Sequence, residues 1–301
     1  VVGTVSAMGK TTDGLIDLAH QVSDRPDPRE FDMLLSTGER IACALVAMAI
    51  HDLGEEAVSL TGSQAGILTD EAHMKAKITT IRPDRVDAAL DAGKIVLVAG
   101  FQGLSSTTKD ITTLGRGGSD ATAVALAAAL GAACEIYSDV PGVFTADPRI
   151  VPEARKLPVV SYEEMLEMSA SGAKVLMLRS VELARNHGVR IHARSTFSDE
   201  PGTWIQEGAG MEQPIVSAVT HSESDVVFTL TPEVQIAPDL LGFGAPLEGC
   251  PSCHTLNVEP STGEHRARVR QCRKRARSLC SGDICMNYNS AGVWCLRYRP
   301  S

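Results

Sequence analysis

The sequence has few features of a membrane, exported or nucleic-acid-binding protein. Its longest apolar run, the Ala-rich segment before Gly131, is shorter than the roughly 20 residues that a membrane span needs. No basic, apolar leader opens the chain, which begins in the strand-like run VVGTV. The net charge of −9 argues against nucleic-acid or membrane surfaces as partners. We therefore expect a cytoplasmic protein whose sequence has an incomplete N-terminus.

Cysteine is scarce over most of the chain, and no histidine spacing matches a metal site. Cys43 and Cys134 are the only cysteines in the first 249 residues, and their apolar neighbours predict buried, reduced thiols. Four histidines are interpreted as surface or packing residues, and no metal site is predicted from them: His51, His73, His187 and His192. Five methionines fall on helical stripes and are expected in the core: Met33, Met48, Met165, Met168 and Met177.

The composition is that of a globular protein, with 44% hydrophobic and 22% charged residues. Apolar strand-like runs alternate with helical patterns up to about residue 205, which predicts an α/β fold with a mostly parallel sheet covered on both faces. Within this pattern, KIVLVAGFQG is an apolar run of strand length, and Ser161 and Glu164 have capping-box spacing.

The stretch TTLGRGGSDATAVALAAALG (residues 112–131) places glycines where a loop enters a helix. Ser119 is a candidate N-cap, and Gly131 suits the position after the helix. Gly117 and Gly118 let the backbone approach a ligand, and a helix N-terminus with Arg116 beside it favours an anion. The alternative is an ordinary capped helix after a flexible turn.

Polar, glycine-bearing loops recur after the predicted strands. They are SAMGKTTD, LSTGER (residues 35–40), GRGGSD and YSDVPGVFTADPR (residues 137–149). In a parallel α/β sheet, ligands bind at the carboxyl ends of the strands. We therefore interpret these four loops as parts of one site.

In this order, these loops resemble the aspartokinases of the amino acid kinase family. The resemblance runs from about residue 1 to about residue 219 and includes FDMLLSTGER, DITTLGRGGSDATAVALAAAL, CEIYSDVPGVFTADPRIVPEARKL and SYEEMLEMSASGAKVL. It implies a three-layer α/β/α sandwich with a mostly parallel central sheet, similar to carbamate kinase, followed by a partial ACT-like α+β segment. It also implies phosphoryl transfer from ATP, with Mg²⁺, to the side-chain carboxylate of L-aspartate.

The resemblance assigns the aspartate side of the site to two loops. Arg116 is expected to grip the substrate α-carboxylate and to act in catalysis together with Asp120. Glu39 is expected to contact the α-amino group. Further substrate-binding positions are Ser36, Thr37, Gly117, Gly118 and Ser119. Taken alone, Glu39 and Asp120 can equally be helix-start acids favoured by the helix dipole.

The resemblance assigns the ATP side to the loop after the strand CEIYS and to the SGAK motif. The expected ATP-binding residues are Ser138, Asp139, Phe144, Asp147, Arg149 and Lys174. Taken alone, Lys174 is a solvated lysine at a helix start, and Pro141 with Gly142 is a turn.

The two ends of the chain differ from the family pattern. The first strand and its lysine-bearing glycine loop are expected to be missing from the kinase domain at 1–206, and Lys10 is not expected to replace that lysine. A linker at 207–213 and the start of an ACT-like domain at 214–231 would follow. A feedback amino acid, lysine or threonine, and a homo- or hetero-oligomer are therefore family expectations only. A non-catalytic chain that binds ligands or partner subunits stays open as an alternative.

The segment 232–301 is rich in cysteine and arginine. Six cysteines lie between Cys250 and Cys295, and CPSCH (residues 250–254) has haem-attachment spacing. Haem attachment requires export, which the sequence does not support. A changed reading frame, a zinc site and a partner-binding tail stay open.

Overall fold

A computed structural model of the chain describes residues 1–208 and 218–220 and, beyond them, six strands. It divides into two compact units, Val1–His221 and Ser222–Ser301. Seven helices are described in the first unit: α1 (Thr11–Val22), α2 (Pro28–Leu35), α3 (Thr37–Asp52), α4 (Asp84–Asp91), α5 (Gly118–Ala129), α6 (Tyr162–Ala170) and α7 (Leu178–His187). Its strands are β1 (Val2–Val5), β2 (Ala57–Leu60), β3 (Ile67–Thr69), β4 (Ile78–Ile81), β5 (Ile95–Ala99), β6 (Gln102–Ser105), β7 (Ile111–Thr113), β8 (Cys134–Ser138), β9 (Val159–Ser161), β10 (Ile191–Ser195) and β11 (Thr203–Gln206).

The first sheet of this unit is parallel throughout and is covered by helices on both faces. Its strand order is β1-β5-β2. On one face, Cys43 of α3 shares a core cluster with Leu97 of β5. On the other face, Val86 of α4 and Leu126 of α5 cluster with Val96. Alternate residues of β5 therefore face opposite helix layers, which requires an apolar residue at every position of the strand.

Two further sheets complete the unit and are mixed. The order β8-β10-β11-β9 contains parallel pairs β8/β10 and β9/β11 around an antiparallel pair β10/β11. The order β4-β3-β6-β7 joins two antiparallel hairpins through the parallel pair β3/β6. The predicted α/β class with mostly parallel strands and helix layers on both sides is confirmed.

Helix α5 packs against both the sheet β1-β5-β2 and the sheet β8-β10-β11-β9. It is apolar around most of its circumference, as expected of a helix buried on all sides. Leu126 lies in the core cluster of the first sheet, whereas Val124 and Ala127 lie in that of the second. The N-terminus of α5 therefore has a position fixed by both halves of the unit.

The predicted start of α5 is wrong by two residues. Gly117 is the N-cap, with φ at 69°, and the helix begins at Gly118, so Ser119 lies inside the first turn and caps nothing. Only glycine adopts this left-handed conformation at little cost. The predicted end is confirmed, because Gly131 follows the C-cap with φ at 64°. The capping box at Ser161 is also confirmed.

The apolar run KIVLVAGFQG forms two strands rather than one. Strand β5 ends at Ala99, and Phe101, with φ at 67°, turns the chain into β6. The turn is fixed because the Phe101 N–H donates to Thr122 Oγ1 and the Phe101 carbonyl accepts from the Leu114 N–H. The chain thus leaves the first sheet directly beside α5.

Helices α2 and α3 adjoin each other and together form an apolar stretch longer than the Ala-rich helix α5. Pro28–Asp52 spans 25 residues with a mean hydropathy of 1.6 in its most apolar window, which meets the length and composition of a membrane span. Asp32 and Glu39 in this stretch are buried and accept hydrogen bonds from other loops of the unit. We therefore interpret it as a pair of core helices.

Several side-chain expectations are settled by burial. Cys43 and Cys134 are free and buried, as predicted, and burial raises the pKa of each thiol to about 12. Met165 and Met168 are core residues. The prediction was wrong for three methionines, whose exposed fractions are 38% or more: Met33, Met48 and Met177.

The second unit is described only by its strands. They are β12 (Asp225–Leu230), β13 (Thr255–Ser261), β14 (Glu264–Arg270), β15 (Ser278–Ser281), β16 (Ile284–Tyr288) and β17 (Trp294–Tyr298). They form the antiparallel sheets β12-β14-β13 and β15-β16-β17. Most of the predicted linker at 207–213, the start of the ACT-like segment and the whole CPSCH motif (residues 250–254) lie outside the described residues. The predicted domain bounds stay predictions.

Candidate active site

The carboxyl ends of β1 and β5 meet the N-termini of α3 and α5. A Cβ on Gly38 of α3 would lie 3.1 Å from Cβ of Ala7, which is in the loop after β1. A Cβ on Gly100, directly after β5, would lie 2.8 Å from Oγ of Ser119 in α5. Glycines at both contacts let the loops touch the helices, so SAMGKTTD meets LSTGER and GFQG meets GRGGSD at this end of the sheet. That the four predicted loops form one site stays a prediction.

Glu39 is the most deeply buried acid of this region. It is 4% exposed, and its Oε1 accepts a hydrogen bond from the Ala7 N–H at 3.3 Å. Oε2 is buried and has no hydrogen-bond partner in the described part of the chain. Burial raises the pKa of the Glu39 carboxyl above its usual value. A buried carboxylate with one unused oxygen is suited to a cationic ligand group.

Ser36 and Thr37 use their hydroxyl groups locally. Ser36 Oγ donates to the Met33 carbonyl at 2.9 Å, and Thr37 Oγ1 donates to the Leu34 carbonyl at 2.7 Å. Each hydroxyl keeps acceptor capacity for a ligand. The substrate-binding role of these two residues stays a prediction.

Gln102 and Arg40 were not predicted as site residues. Gln102 Nε2 donates to the Ser36 carbonyl at 2.8 Å, and its Oε1 accepts from Arg40 Nε at 3.0 Å. Burial lowers the pKa of the Arg40 guanidinium below its usual value. Both residues stand inside the motifs TGER and GFQG, so the motifs themselves were the signal. Together they fix the α2–α3 junction against the start of β6.

The GRGG loop presents an exposed arginine beside the first turn of α5. Arg116 is exposed and makes no hydrogen bond or ion pair with the described residues. The Gly118 N–H donates to the Gly115 carbonyl at 3.0 Å. The N–H groups of Ser119 and Asp120 have no acceptor among residues 1–208 and 218–220. The N–H groups that this helix end leaves available to an anion are therefore those of Ser119 and Asp120, not that of Gly118.

Asp120 lies in the first turn of α5 and is half-buried. Burial raises the pKa of its carboxyl above the usual value, and no cationic side chain of the described residues forms an ion pair with it. The helix dipole alone would favour an ionised acid here. Its burial without a cation distinguishes Asp120 from an ordinary helix-start acid and fits a site that a ligand cation completes.

The predicted nucleotide residues occupy a single loop after β8, with Lys174 on a separate segment. Ser138 Oγ accepts from the Val140 N–H at 3.3 Å, which tightens the turn at the end of β8. Asp147 accepts two hydrogen bonds from the Arg149 guanidinium, at 3.0 and 2.7 Å. Phe144 forms an isolated antiparallel bridge with Lys156.

The remaining two nucleotide residues are exposed. Asp139 lies two residues before Pro141, and Lys174 lies between α6 and α7. Neither side chain forms a hydrogen bond or ion pair with the described residues. The assignment of Asp139 and Lys174 to ATP stays a prediction.

A buried polar cluster behind the GRGG loop was missed at the sequence level. Asp32 of α2 is fully buried and accepts from Thr113 Oγ1 and from the Met74 N–H. His73 Nδ1 lies 2.7 Å from Asp32 Oδ2, so His73 is more than a surface residue. These contacts join α2, the β3–β4 connection and β7 directly before the GRGG loop.

Comparison with known proteins identifies the family to which this chain belongs. Residues 1–195 match the amino acid kinase family. The aspartokinase of Mycobacterium bovis is 52% identical over 288 residues, which cover 94% of this chain and 67% of that protein. That match continues past residue 231, where the resemblance in motifs was expected to stop.

Solved structures agree in fold. The aspartate kinase of Synechocystis is 42% identical with a TM-score of 0.60 and covers 90% of this chain and 47% of its own. Aspartokinase III of E. coli in complex with aspartate and ADP has a TM-score of 0.68 at 21% identity, covering 86% and 59%. The same enzyme with lysine and aspartate has a TM-score of 0.62 at 24% identity, covering 85% and 59%. The chain spans about half to two thirds of the length of these relatives.

Proposed function

Because this chain belongs to the aspartokinases of the amino acid kinase family, we propose that it phosphorylates L-aspartate with ATP. The γ-phosphoryl group is transferred to the side-chain carboxylate, and the product is 4-phospho-L-aspartate, the entry to lysine, threonine and methionine synthesis. The complex of the E. coli relative with aspartate and ADP supports both substrates. The proposal refers to the whole protein; the match to the M. bovis relative covers 67% of that relative's length.

The observation that carries the proposal is the buried Glu39 carboxylate at the end of the sheet where the exposed Arg116 and the N-terminus of α5 also lie. An amino acid offers one ammonium and one α-carboxylate group. Glu39 Oε2 has no partner among the described residues, and it supplies the charge that an ammonium group needs. Arg116, with the free N–H groups of α5, supplies a fork and a dipole for the α-carboxylate. The side-chain carboxylate of aspartate is then left to react.

The chemistry needs no general base from the protein. An aspartate side chain has a pKa of roughly 3.9, so the nucleophile is ionised at neutral pH. The barrier lies in bringing this anion to a triphosphate. The chain's contribution is therefore to orient the carboxylate and to place positive charge and N–H groups around the transferred phosphoryl group.

ATP is assigned to the loop after β8 and to Lys174. The exposed Lys174 ammonium can reach a phosphate without breaking any contact of the described protein. Arg149 is 81% exposed at its side chain, and its pairing with Asp147 preorients the guanidinium. Phe144 and the Ser138–Val140 turn would contact the nucleoside.

Mg²⁺ is proposed as the companion of ATP. No group of three or more His, Cys, Asp or Glu side chains in the described residues forms a closed metal cage. This fits Mg²⁺, which is usually held by substrate phosphates and one or two carboxylates. Asp120 is the carboxylate that the site offers, because it is half-buried and forms no ion pair with the described residues. When bound, Mg²⁺ would neutralise phosphate charge.

The regulation, assembly and location of the protein are proposed from its family. The E. coli relative binds lysine in its T state, and we propose lysine or threonine as the feedback ligand of the whole protein. We propose a homo- or hetero-oligomer and a cytoplasmic location, where ATP and aspartate are available.

The test is phosphorylation measured with the purified chain. With saturating L-aspartate and MgATP, hydroxylamine traps the acyl phosphate as a hydroxamate that is quantified by colour. L-Asparagine, which lacks the reacting carboxylate, and D-aspartate, which inverts the ammonium and α-carboxylate positions, are the matched controls. Hydroxamate with L-aspartate only supports the proposal. Calorimetric binding of both substrates without hydroxamate would identify the alternative, a chain that binds ligands without turnover.

A further inference from the structure

Arg179 of α7 donates to two backbone carbonyls, that of Leu114 directly before the GRGG loop and that of Ala76 in the β3–β4 connection. Its Nη1 donates to the Leu114 carbonyl at 2.8 Å and its Nη2 donates to the Ala76 carbonyl at 2.7 Å. The contacts span 65 and 103 residues of sequence. The guanidinium is half-buried and has no carboxylate in hydrogen-bonding contact among the described residues, so its hydrogen bonds serve the backbone.

The two carbonyls belong to segments that are already joined. The Ala76 N–H donates to the Thr113 carbonyl at 2.9 Å, and the Leu114 N–H donates to the Phe101 carbonyl at 2.9 Å. Arg179 completes this arrangement by adding a charge-assisted donor to each segment. Leu114 is thereby fixed at a point two residues before Arg116 in the chain.

The segment before α7 also touches the far side of the loop. A Cβ on Gly117 would lie 2.2 Å from Cγ of Met177. Met177 therefore lies directly on the residue after Arg116, while Arg179 holds the second residue before it. The exposed Arg116 side chain itself forms no hydrogen bond or ion pair with the described residues. The position of its Cα is therefore set by the contacts that hold Leu114 and Gly117.

We propose that Arg179 is a positioning residue for substrate recognition. By fixing Leu114, with Met177 packed on Gly117, it sets the direction in which the Arg116 guanidinium leaves the loop to meet the substrate α-carboxylate. This inference rests on the proposed function, in which that carboxylate belongs to L-aspartate. Lys174, proposed to contact ATP, lies on the same segment, but the two hydrogen bonds of Arg179 reach only the aspartate side.

The test compares three variants of α7. Arg179→Met removes both hydrogen bonds and keeps much of the apolar stem. Arg179→Lys keeps a charge and can donate to one carbonyl. Arg185→Met is the matched control, because Arg185 is an exposed arginine on the same helix whose side chain forms no hydrogen bond or ion pair with a described residue. KM for aspartate, KM for MgATP and kcat are measured for each, together with hydrogen exchange of the amides of residues 115–118.

Arg179→Met is expected to raise KM for aspartate about tenfold or more, since small misplacements in a site cost large factors in rate. KM for MgATP should stay within about twofold. Arg179→Lys should recover part of the loss, and Arg185→Met should match the unaltered chain. The exchange of the loop amides should accelerate in Arg179→Met only.

Two results would overturn the inference. If Arg179→Met raised KM for aspartate and for MgATP equally and lowered the melting temperature, and if Arg179→Lys recovered none of the loss, Arg179 would have a general structural role. Unchanged exchange of the loop amides would mean that Arg179 does not fix the loop. Hydrogen exchange can be measured on a chain without activity. A chain that does not phosphorylate aspartate would therefore contradict the proposed function, and the exchange of the loop amides would still test the role of Arg179.

Discussion

The two halves of the candidate site are built differently. The substrate region, defined as residues 36–40, 100–102 and 114–120, contains buried polar groups that neighbouring elements hold in place. The nucleotide region, defined as residues 138–149 and Lys174, contains more exposed side chains, and the Ser138–Val140 and Asp147–Arg149 hydrogen bonds within it are local. In the substrate region, folding has already desolvated Glu39 before any ligand binds. In the nucleotide region, the exposed side chains would be ordered and desolvated only when the ligand binds.

This contrast has a consequence for mutations. A change at a buried group of the substrate region should alter both stability and aspartate recognition, because such a group does both, whereas loss of the exposed Arg116 side chain should alter recognition alone. A change in the nucleotide region should alter ATP recognition and leave stability nearly constant. The predictions below test this separation, and the first has the largest expected effect.

Gly117→Ala should destabilise the first unit strongly. The new Cβ would lie 2.2 Å from Met177 Cγ, on a backbone with φ at 69°. Overpacking and the left-handed conformation together should cost about 2–4 kcal/mol. Gly131→Ala is the matched control: φ is 64° but nothing lies within 4 Å of the new Cβ, so about 1–2 kcal/mol is expected. Urea denaturation measures both, and equal losses would show that Met177 moves freely aside.

Arg116→Ala should weaken aspartate binding and spare ATP binding. A charge-assisted pair contributes on the order of 1.5–3 kcal/mol, which is roughly 10- to 150-fold in affinity. Arg116 is exposed and makes no contact with the described residues, so the free energy of unfolding should change little. Isothermal titration calorimetry with each ligand provides the measurement. Equal weakening of aspartate and ATP would contradict the assignment of Arg116 to the α-carboxylate.

Glu39→Gln should stabilise the ligand-free chain and abolish most aspartate affinity. Burial raises the folded-state pKa of Glu39, so the ionised form opposes folding. The contribution of Glu39 to stability is greatest below its unfolded-state pKa and is lost as pH rises through the folded pKa. The variant's advantage should therefore grow as pH rises from about 4 and then level off at about 1–2 kcal/mol.

Urea denaturation between pH 4 and pH 8 tests this dependence. The raised pKa of Asp120 is common to both proteins and cancels in the difference. A variant that is less stable than the parent at neutral pH would show that the Glu39 carboxylate has a partner that stabilises it. Calorimetry on the same samples checks that aspartate affinity falls at least about tenfold.

The parts of this molecule that could be predicted from sequence are those with local signals. Helix propensity and glycine placement predicted α5 and its end at Gly131, and the Ser161 capping box was read from four residues. The N-cap was missed because Gly117 is selected by its contact with Met177, sixty residues away in sequence, rather than by the polar side chain of Ser119.

The site contacts that sequence reasoning missed are non-local. Arg40 and Gln102 are 62 residues apart, Asp32 and Thr113 are 81 apart, and no period or spacing connects them. A hydrogen bond between such residues follows from how the helices and hairpins assemble. The split of KIVLVAGFQG at Phe101 has the same origin, since Thr122 and Leu114 hold the turn.

Lys174→Met should have the smallest effect on the fold and a selective effect on ATP. The side chain is exposed and forms no hydrogen bond or ion pair with the described residues, so the change in unfolding free energy should stay within about 0.5 kcal/mol. KM for MgATP should rise about three- to tenfold, because one phosphate contact is lost, and KM for aspartate should not change. Lys94→Met is the matched control: Lys94 is an exposed lysine paired with Glu56 at the amino end of β5, the end opposite the site. Steady-state kinetics with each substrate varied in turn distinguishes the two lysines. If both variants raise KM for MgATP alike, Lys174 acts only through the overall charge of the chain and does not belong to the nucleotide region.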